Sequence, residues 1–432
     1  MVVDMKKLLK WALVCAALFL FLVPAGAQTI YVSVVTAKGD IVVRSNKGDF
    51  YRLKGLEVVG MGANSKGVWT LVRTTDVEGR WFDNRTDKHM IGWGEHVLYL
   101  NGDVYKKYPF GDPETCCISS AALKVKGDDV VVAGTYARRW EKSNYFWGKM
   151  WGELNGKTIY GSPARSDGWQ RMSLKRKWFQ GFAEPSRGLF NLGYAKTPDV
   201  DGNFTSMYHV YACDVMDGDI YTVGWGEREY TYYNAGNAAD AYYVRRCARG
   251  WVNGKEELKQ VPNQTSCART LTMAGNKDHP IWYTAGHHRG NMAVWEGNKT
   301  IIEESSTLKA VNAEVVVTYN NTVRRYFIAD TYSAQGWLYM LIGKALKAEF
   351  RATNHYEGRP EYTYYRPYTS MYDIVSYNNQ VYLLRSIRSS ETGELEISVL
   401  KVNLDTDFIE EIDNCDFSLK SAVKACKLAV WE

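Results

Sequence analysis

The side chains of this 432-residue chain with the most chemical reach do not assemble into a recognised catalytic set. His287-His288 precede Arg289, but no further ligand stands at metal-binding spacing, so the pair reads as an exposed loop after a strand. Asp199-x-Asp201-x-Asn203 has the opening rhythm of a calcium loop. Phe204 occupies the place that requires glycine, however, and no glutamate closes the loop. Histidine is scarce and no CxxC occurs, so neither a metal nor another cofactor is expected. Asp76, Asp83, Glu141, Glu227, Glu229, Asp240 and Glu361 are available for acid–base work. Glycoside hydrolysis wants two carboxyls about 5–10 Å apart, and no spacing here selects a pair.

The chain does concentrate aromatic rings beside arginine. Arg138, Trp140, Tyr145 and Trp147 fall in 135–148, and Trp178 falls in 164–206. Trp225, Tyr230, Tyr232 and Tyr233 fall in 225–247, and Tyr364, Tyr365 and Arg366 in 351–369. Tyr and Trp give large rigid contact area with a polar tip, and a flat ring stacks on the apolar face of a pyranose. The arginine fork grips carboxylate or sulfate. These are the candidate ligand-binding residues, although such rings also serve as the small cores of long loops. The pentapeptide EYTYY recurs at 229–233 and 361–365 in different phase to its surroundings, which marks coincidence in a Tyr-rich chain.

A repeat positions these segments. Residues 122–134 (ALKVKGDDVVVAG) and 212–224 (ACDVMDGDIYTVG) align without a gap, with diverged copies at 56–72, 271–286, 311–329 and 371–384. A second hairpin follows each of the first five in chain order, led by an aromatic and turned at Asn-Gly or a relative: 97–108, 149–160, 249–258, 293–302 and 338–350. Asn-Gly suits a two-residue turn with positive φ at both positions. The flanking residues alternate apolar and polar, which predicts half-buried strands. The unit is four short strands, a–b–c–d. The turns recur every 45 to 60 residues or so, apart from 98 between Asn155 and Asn253.

That period predicts an all-β fold, a β-propeller of four-stranded antiparallel blades. Seven blades are expected, with six the alternative. A degenerate blade within 164–206, or pairing of the chain ends 30–53 and 413–431, would supply the seventh. Strands alternate in direction, so a–b and c–d turns share one face of the disc and b–c and d–a connections share the other. The first face is trimmed. The second receives the insertions around 135–148, 164–206, 225–247 and 351–369, and long loops on a rigid scaffold are where binding usually sits.

Asp219-Ile220-Tyr221 with Gly224, followed by Trp251-Val252-Asn253-Gly254, resembles secreted bacterial propellers with a D-V-Y-x-x-G strand and a W-x-N-G turn. The resemblance covers about two thirds of the mature chain and departs at 164–206 and 351–369. It implies the fold and carries no activity.

Lys6, Lys7 and Lys10, an apolar run over Trp11–Val23 and Pro24-Ala25-Gly26-Ala27 have the layout of a cleavable signal peptide, 1–27. The run is short of the ~20 residues a membrane span needs. Residues 28–432 are therefore expected as one propeller domain, a monomer, secreted or held in the periplasm or at the cell surface, with no membrane span. The formal charge of +5 is too small to argue for nucleic acid. Export permits disulfides, with Cys415–Cys426 the favoured pair and Cys247–Cys267 the second; Cys116, Cys117 and Cys213 complete the set. The functional expectation is a recognition protein for a glycan or protein ligand, without catalysis. The alternatives are a glycoside hydrolase or polysaccharide lyase at the channel mouth, and a structural component of a cell-surface assembly.

Overall fold

A computed structural model describes residues 28–74, 94–108, 116–139, 146–161, 208–232, 241–259, 266–289, 291–303, 308–331, 337–342, 345–350, 369–388, 393–406 and 409–431. Among them, strands form seven four-stranded antiparallel sheets. The first three strands are β1 (Thr29–Thr36), β2 (Asp40–Ser45) and β3 (Gly48–Lys54). Blade two is β4 (Glu57–Asn64), β5 (Gly67–Arg73), β6 (His96–Leu100) and β7 (Asp103–Tyr108). Blade three is β8 (Cys116–Lys126), β9 (Asp129–Arg139), β10 (Phe146–Leu154) and β11 (Lys157–Tyr160). Blade four is β12 (Tyr208–Met216), β13 (Asp219–Tyr232), β14 (Ala241–Val252) and β15 (Lys255–Lys259). Blade five is β16 (Ser266–Asn276), β17 (His279–His288), β18 (Asn291–Glu296) and β19 (Lys299–Glu303). Blade six is β20 (Leu308–Tyr319), β21 (Thr322–Thr331), β22 (Trp337–Ile342) and β23 (Ala345–Phe350). Blade seven is β24 (Thr369–Tyr377), β25 (Gln380–Arg388), β26 (Leu395–Val402) and β27 (Ile409–Asp416). The last strand, β28 (Ala422–Trp431), pairs with β1 and completes blade one.

The ring is closed. Inner strands β28, β4, β8, β12, β16, β20 and β24 each neighbour the next, and β24 returns to β28. An apolar core fills every junction; Val131 and Ala133 of blade three, for example, pack with Val210 and Trp251 of blade four. Blades three and four are thus direct neighbours, and the seventh blade comes from the chain ends rather than from 164–206. That segment lies outside the described residues, as does the expected signal peptide. Asp373 holds the closure polar side, accepting the Leu428 N–H at 3.0 Å with Lys427 3.6 Å away. No helix among the described residues is long and apolar enough to cross a membrane.

The motif residues acquire physical reasons. Asn101, Asn155 and Asn253 hold φ near 50°, and each Oδ1 accepts the N–H of the b strand of its own blade, at 2.8, 2.8 and 2.9 Å. Asn155 and Asn253 also donate to Asp129 and Asp219, the residues that open those b strands, at 2.9 and 2.8 Å. The repeated Asp and Asn are therefore one clamp joining the a–b and c–d turns. Trp151, Trp251 and Trp295 are buried, each packed against the preceding blade. The strict alternation expected for half-buried strands holds poorly in b strands, where Val130, Val131, Val132 and Ala133 are all buried in succession. The cause is that neighbouring blades cover both faces of each sheet.

Cys415 and Cys426 are free thiols, not a disulfide. Cys415 belongs to the outer strand of blade seven and Cys426 to the inner strand of blade one, so closeness in sequence does not bring them together. Burial raises both thiol pKa values to about 11. Cys247 and Cys267, the second expected pair, are buried thiols in blades four and five.

Candidate functional site

Every described a–b connection is a two-residue turn, at 65–66, 127–128, 217–218, 277–278, 320–321 and 378–379. The strand ends from which 75–93, 140–145, 162–207, 233–240 and 351–368 depart lie at the opposite end of the sheets. Strands also run into two of the segments expected as loops. β9 continues to Arg139 and β10 starts at Phe146, while β13 pairs with β14 as far as Tyr232↔Ala241. The 225–247 insertion is thus largely a β ribbon, its backbone paired from Trp225↔Ala248 to Tyr232↔Ala241.

Near that same end, the inner strands bulge. The register shifts at Val58/Gly60, Ile118/Ser120, Val210/Ala212, Ala268/Thr270, Val311/Ala313 and Met371/Asp373. Each shift drops one residue from the ladder, among them Tyr211, Arg269 and Asn312 of three successive blades. Bulges re-aim side chains and are common beside functional sites. The closing glycine of the b strand makes room: a Cβ on Gly224 would overlap the carbonyl oxygen of His209, and one on Gly286 that of Cys267.

The three bulged residues form a continuous row. The His209 ring stacks on Trp225 at 5.7 Å and 6°, and meets Tyr211 at 4.3 Å and 47°. The Arg269 guanidinium lies 5.8 Å from the Tyr211 ring centre, and its Nη1 donates to Asn312 Oδ1 at 2.6 Å. Tyr211 remains 40% exposed. His287 adjoins the row; burial first, then the charges of Arg269 and His288, lower its pKa to about 4 and keep it neutral near pH 7.

Buried carboxylates on the inner strands are committed to the scaffold. Asp214 accepts the N–H groups of Val215 and Met273 at 2.8 and 2.7 Å and pairs with Lys126 at 3.4 Å. Glu314 takes Arg325 and the Thr270 hydroxyl, both at 2.6 Å. No cluster of three metal-ligating side chains occurs among the described residues.

Of the residues singled out in sequence, Trp225 joins the row directly. Arg138 pairs with Trp147 across β9 and β10, and Tyr230 with Tyr243 across β13 and β14, where Tyr232 pairs with Ala241. Trp140, Tyr145, Trp178, Tyr233, Tyr364, Tyr365 and Arg366 lie outside the described residues. His287 and His288 belong to β17 rather than to an exposed loop, and His288 is buried. His209, Tyr211, Arg269 and Asn312 escaped the sequence reading; the last three are bulged positions, which break the two-residue period without any glycine or proline of their own to announce it.

No family model matches the chain, and no curated protein is similar to it. Among solved structures, a GH32 β-fructofuranosidase of Bombyx mori superposes with a TM-score of 0.33 at 8% identity, over 86% of this chain and 89% of that one. The K499G mutant of NanB sialidase from Streptococcus pneumoniae gives 0.27 at 10% identity, over 91% of this chain and 61% of that one. Similarities this low carry no functional argument.

Proposed function

We propose that the chain is a secreted monomeric recognition protein of the propeller type it resembles, and that it binds a glycan at the elaborated end of the disc. The observation that supports this reading is the row Trp225–His209–Tyr211–Arg269–Asn312, which sets an exposed phenol ring between a stacked aromatic pair and a polar, cationic end. Aromatic platforms with few rotors to freeze give sugar rings flat contact, and the adjoining amide and guanidinium supply hydrogen bonds to ring substituents. Export past a cleavage site near Ala27 would place that surface before extracellular glycans.

A glycan microarray followed by titration of the best ligand tests the reading. Tyr211→Ala and Trp225→Ala are each expected to cost about 1–3 kcal/mol of binding, roughly 5- to 150-fold. Binding only to a protein partner, or glycan binding untouched by both changes, refutes it. One observation favours a second reading as a polysaccharide lyase: the Tyr211 ring stands beside Arg269. β-Elimination needs a base and a cation that neutralises the substrate acid. Chain shortening with unsaturated ends in a bound uronate polymer would establish it.

A further inference from the structure

We infer that Arg269, with Asn312 and His287, forms a carboxylate-binding subsite, so that the glycan recognised at this end is an acidic, uronate-bearing one; the inference rests on the glycan reading above.

The three arginines that are buried among the described residues have carboxylate partners. Arg73 pairs with Glu57 at 3.1 Å, Arg249 with Glu256 at 2.7 Å and Arg325 with Glu314 at 2.6 Å. Arg269 differs. Its Nη1 is bonded to the neutral amide of Asn312, and its Nε is buried with no hydrogen-bond partner among the described residues. Glu314, on the same strand as Asn312, is already engaged by Arg325 and Thr270. A buried donor without an acceptor is costly, and a carboxylate that the side chain turns to meet removes that cost. His287 Nδ1 is a second buried nitrogen without a partner, close enough to feel the charge of Arg269.

The fork geometry selects the ligand group. A guanidinium matches a planar carboxylate through two parallel N–H donors, which a point charge cannot do. Because the guanidinium stands 5.8 Å from the Tyr211 ring centre, a pyranose packed against the exposed part of that ring would carry a carboxyl on its ring carbon to the cation without any linker.

Isothermal titration of the full mature chain with an oligogalacturonate and with its carboxyl-reduced, neutral counterpart tests the inference. Wild-type protein is expected to prefer the acidic form. Arg269→Gln should weaken the acidic ligand roughly tenfold or more and the neutral one less than about twofold. Arg269→Lys keeps the charge and most of the packing, and should recover only part of the loss. Melting temperatures of both variants confirm folding. A wild-type preference for the neutral form, or unchanged oligogalacturonate affinity in both variants, overturns the carboxylate subsite while leaving the glycan reading standing. Absence of binding to either oligosaccharide overturns it too, and the array with Tyr211→Ala then decides the broader reading by itself.

Discussion

Replacing Asn253 with alanine removes three things at once. The side chain accepts the Ile220 N–H at 2.9 Å, donates to Asp219 at 2.8 Å, and tolerates a backbone φ of 48°. Each hydrogen bond is worth about 1 kcal/mol net. Holding alanine in the left-handed region adds about 1 kcal/mol. The expected loss is about 3 kcal/mol. With roughly 2.1 cal/mol/K of unfolding entropy per residue over a chain this size, the melting temperature should fall by roughly 3 °C. Asn253→Gly keeps the backbone freedom and should lose only the two bonds, roughly 2 °C. Differential scanning calorimetry at neutral pH reads both values. Equal melting temperatures for wild type and Asn253→Ala would show that the Asp–Asn clamp does not stabilise the blade, and the physical reason given for the repeat would be wrong.

Three further outcomes follow from the same geometry. His96 is buried, its Nδ1–H donates to the Gly94 carbonyl at 2.9 Å, and burial lowers its pKa from 6.5 to about 4. Its contribution is full above pH 6.5 and is lost as pH falls through 4, up to about 3 kcal/mol; urea midpoints that stay level between pH 7 and 4 would contradict this. Gly224→Ala should cost about 2–4 kcal/mol, because the new methyl displaces the bulge that carries Tyr211, and a thermal scan matching wild type would refute the close approach. Cys415 and Cys426 should both alkylate in unfolded, unreduced protein, and a Cys415–Cys426 crosslinked peptide in mass spectra would overturn the assignment.

The architecture was readable because its punctuation is chemical. Asn-Gly at 101–102, 155–156 and 253–254 demands positive φ, and the structure has it at all six positions. From the phase of those turns the trimmed face follows without coordinates. What stayed hidden has equally physical causes. The blade that β1, β2, β3 and β28 build from opposite ends of the chain has no local period, so the sequence offered it only as one of two sources of the seventh blade. Buried runs such as Val130–Ala133 obscure the alternation, because blades cover both faces of the sheet. The aromatic richness around Trp225 was visible, but Tyr211, Arg269 and Asn312 converge only once three blades stand side by side. Their juxtaposition is a property of the ring.

A crystal structure of the protein with an array-selected oligosaccharide would locate the ligand outright. A sugar ring within about 4 Å of the Tyr211 face, with a substituent on Arg269 or Asn312, is the expected result. A sugar seated instead among the short turns at Asn101, Asn155 and Asn253, or against the outer strands, would contradict recognition at the elaborated end.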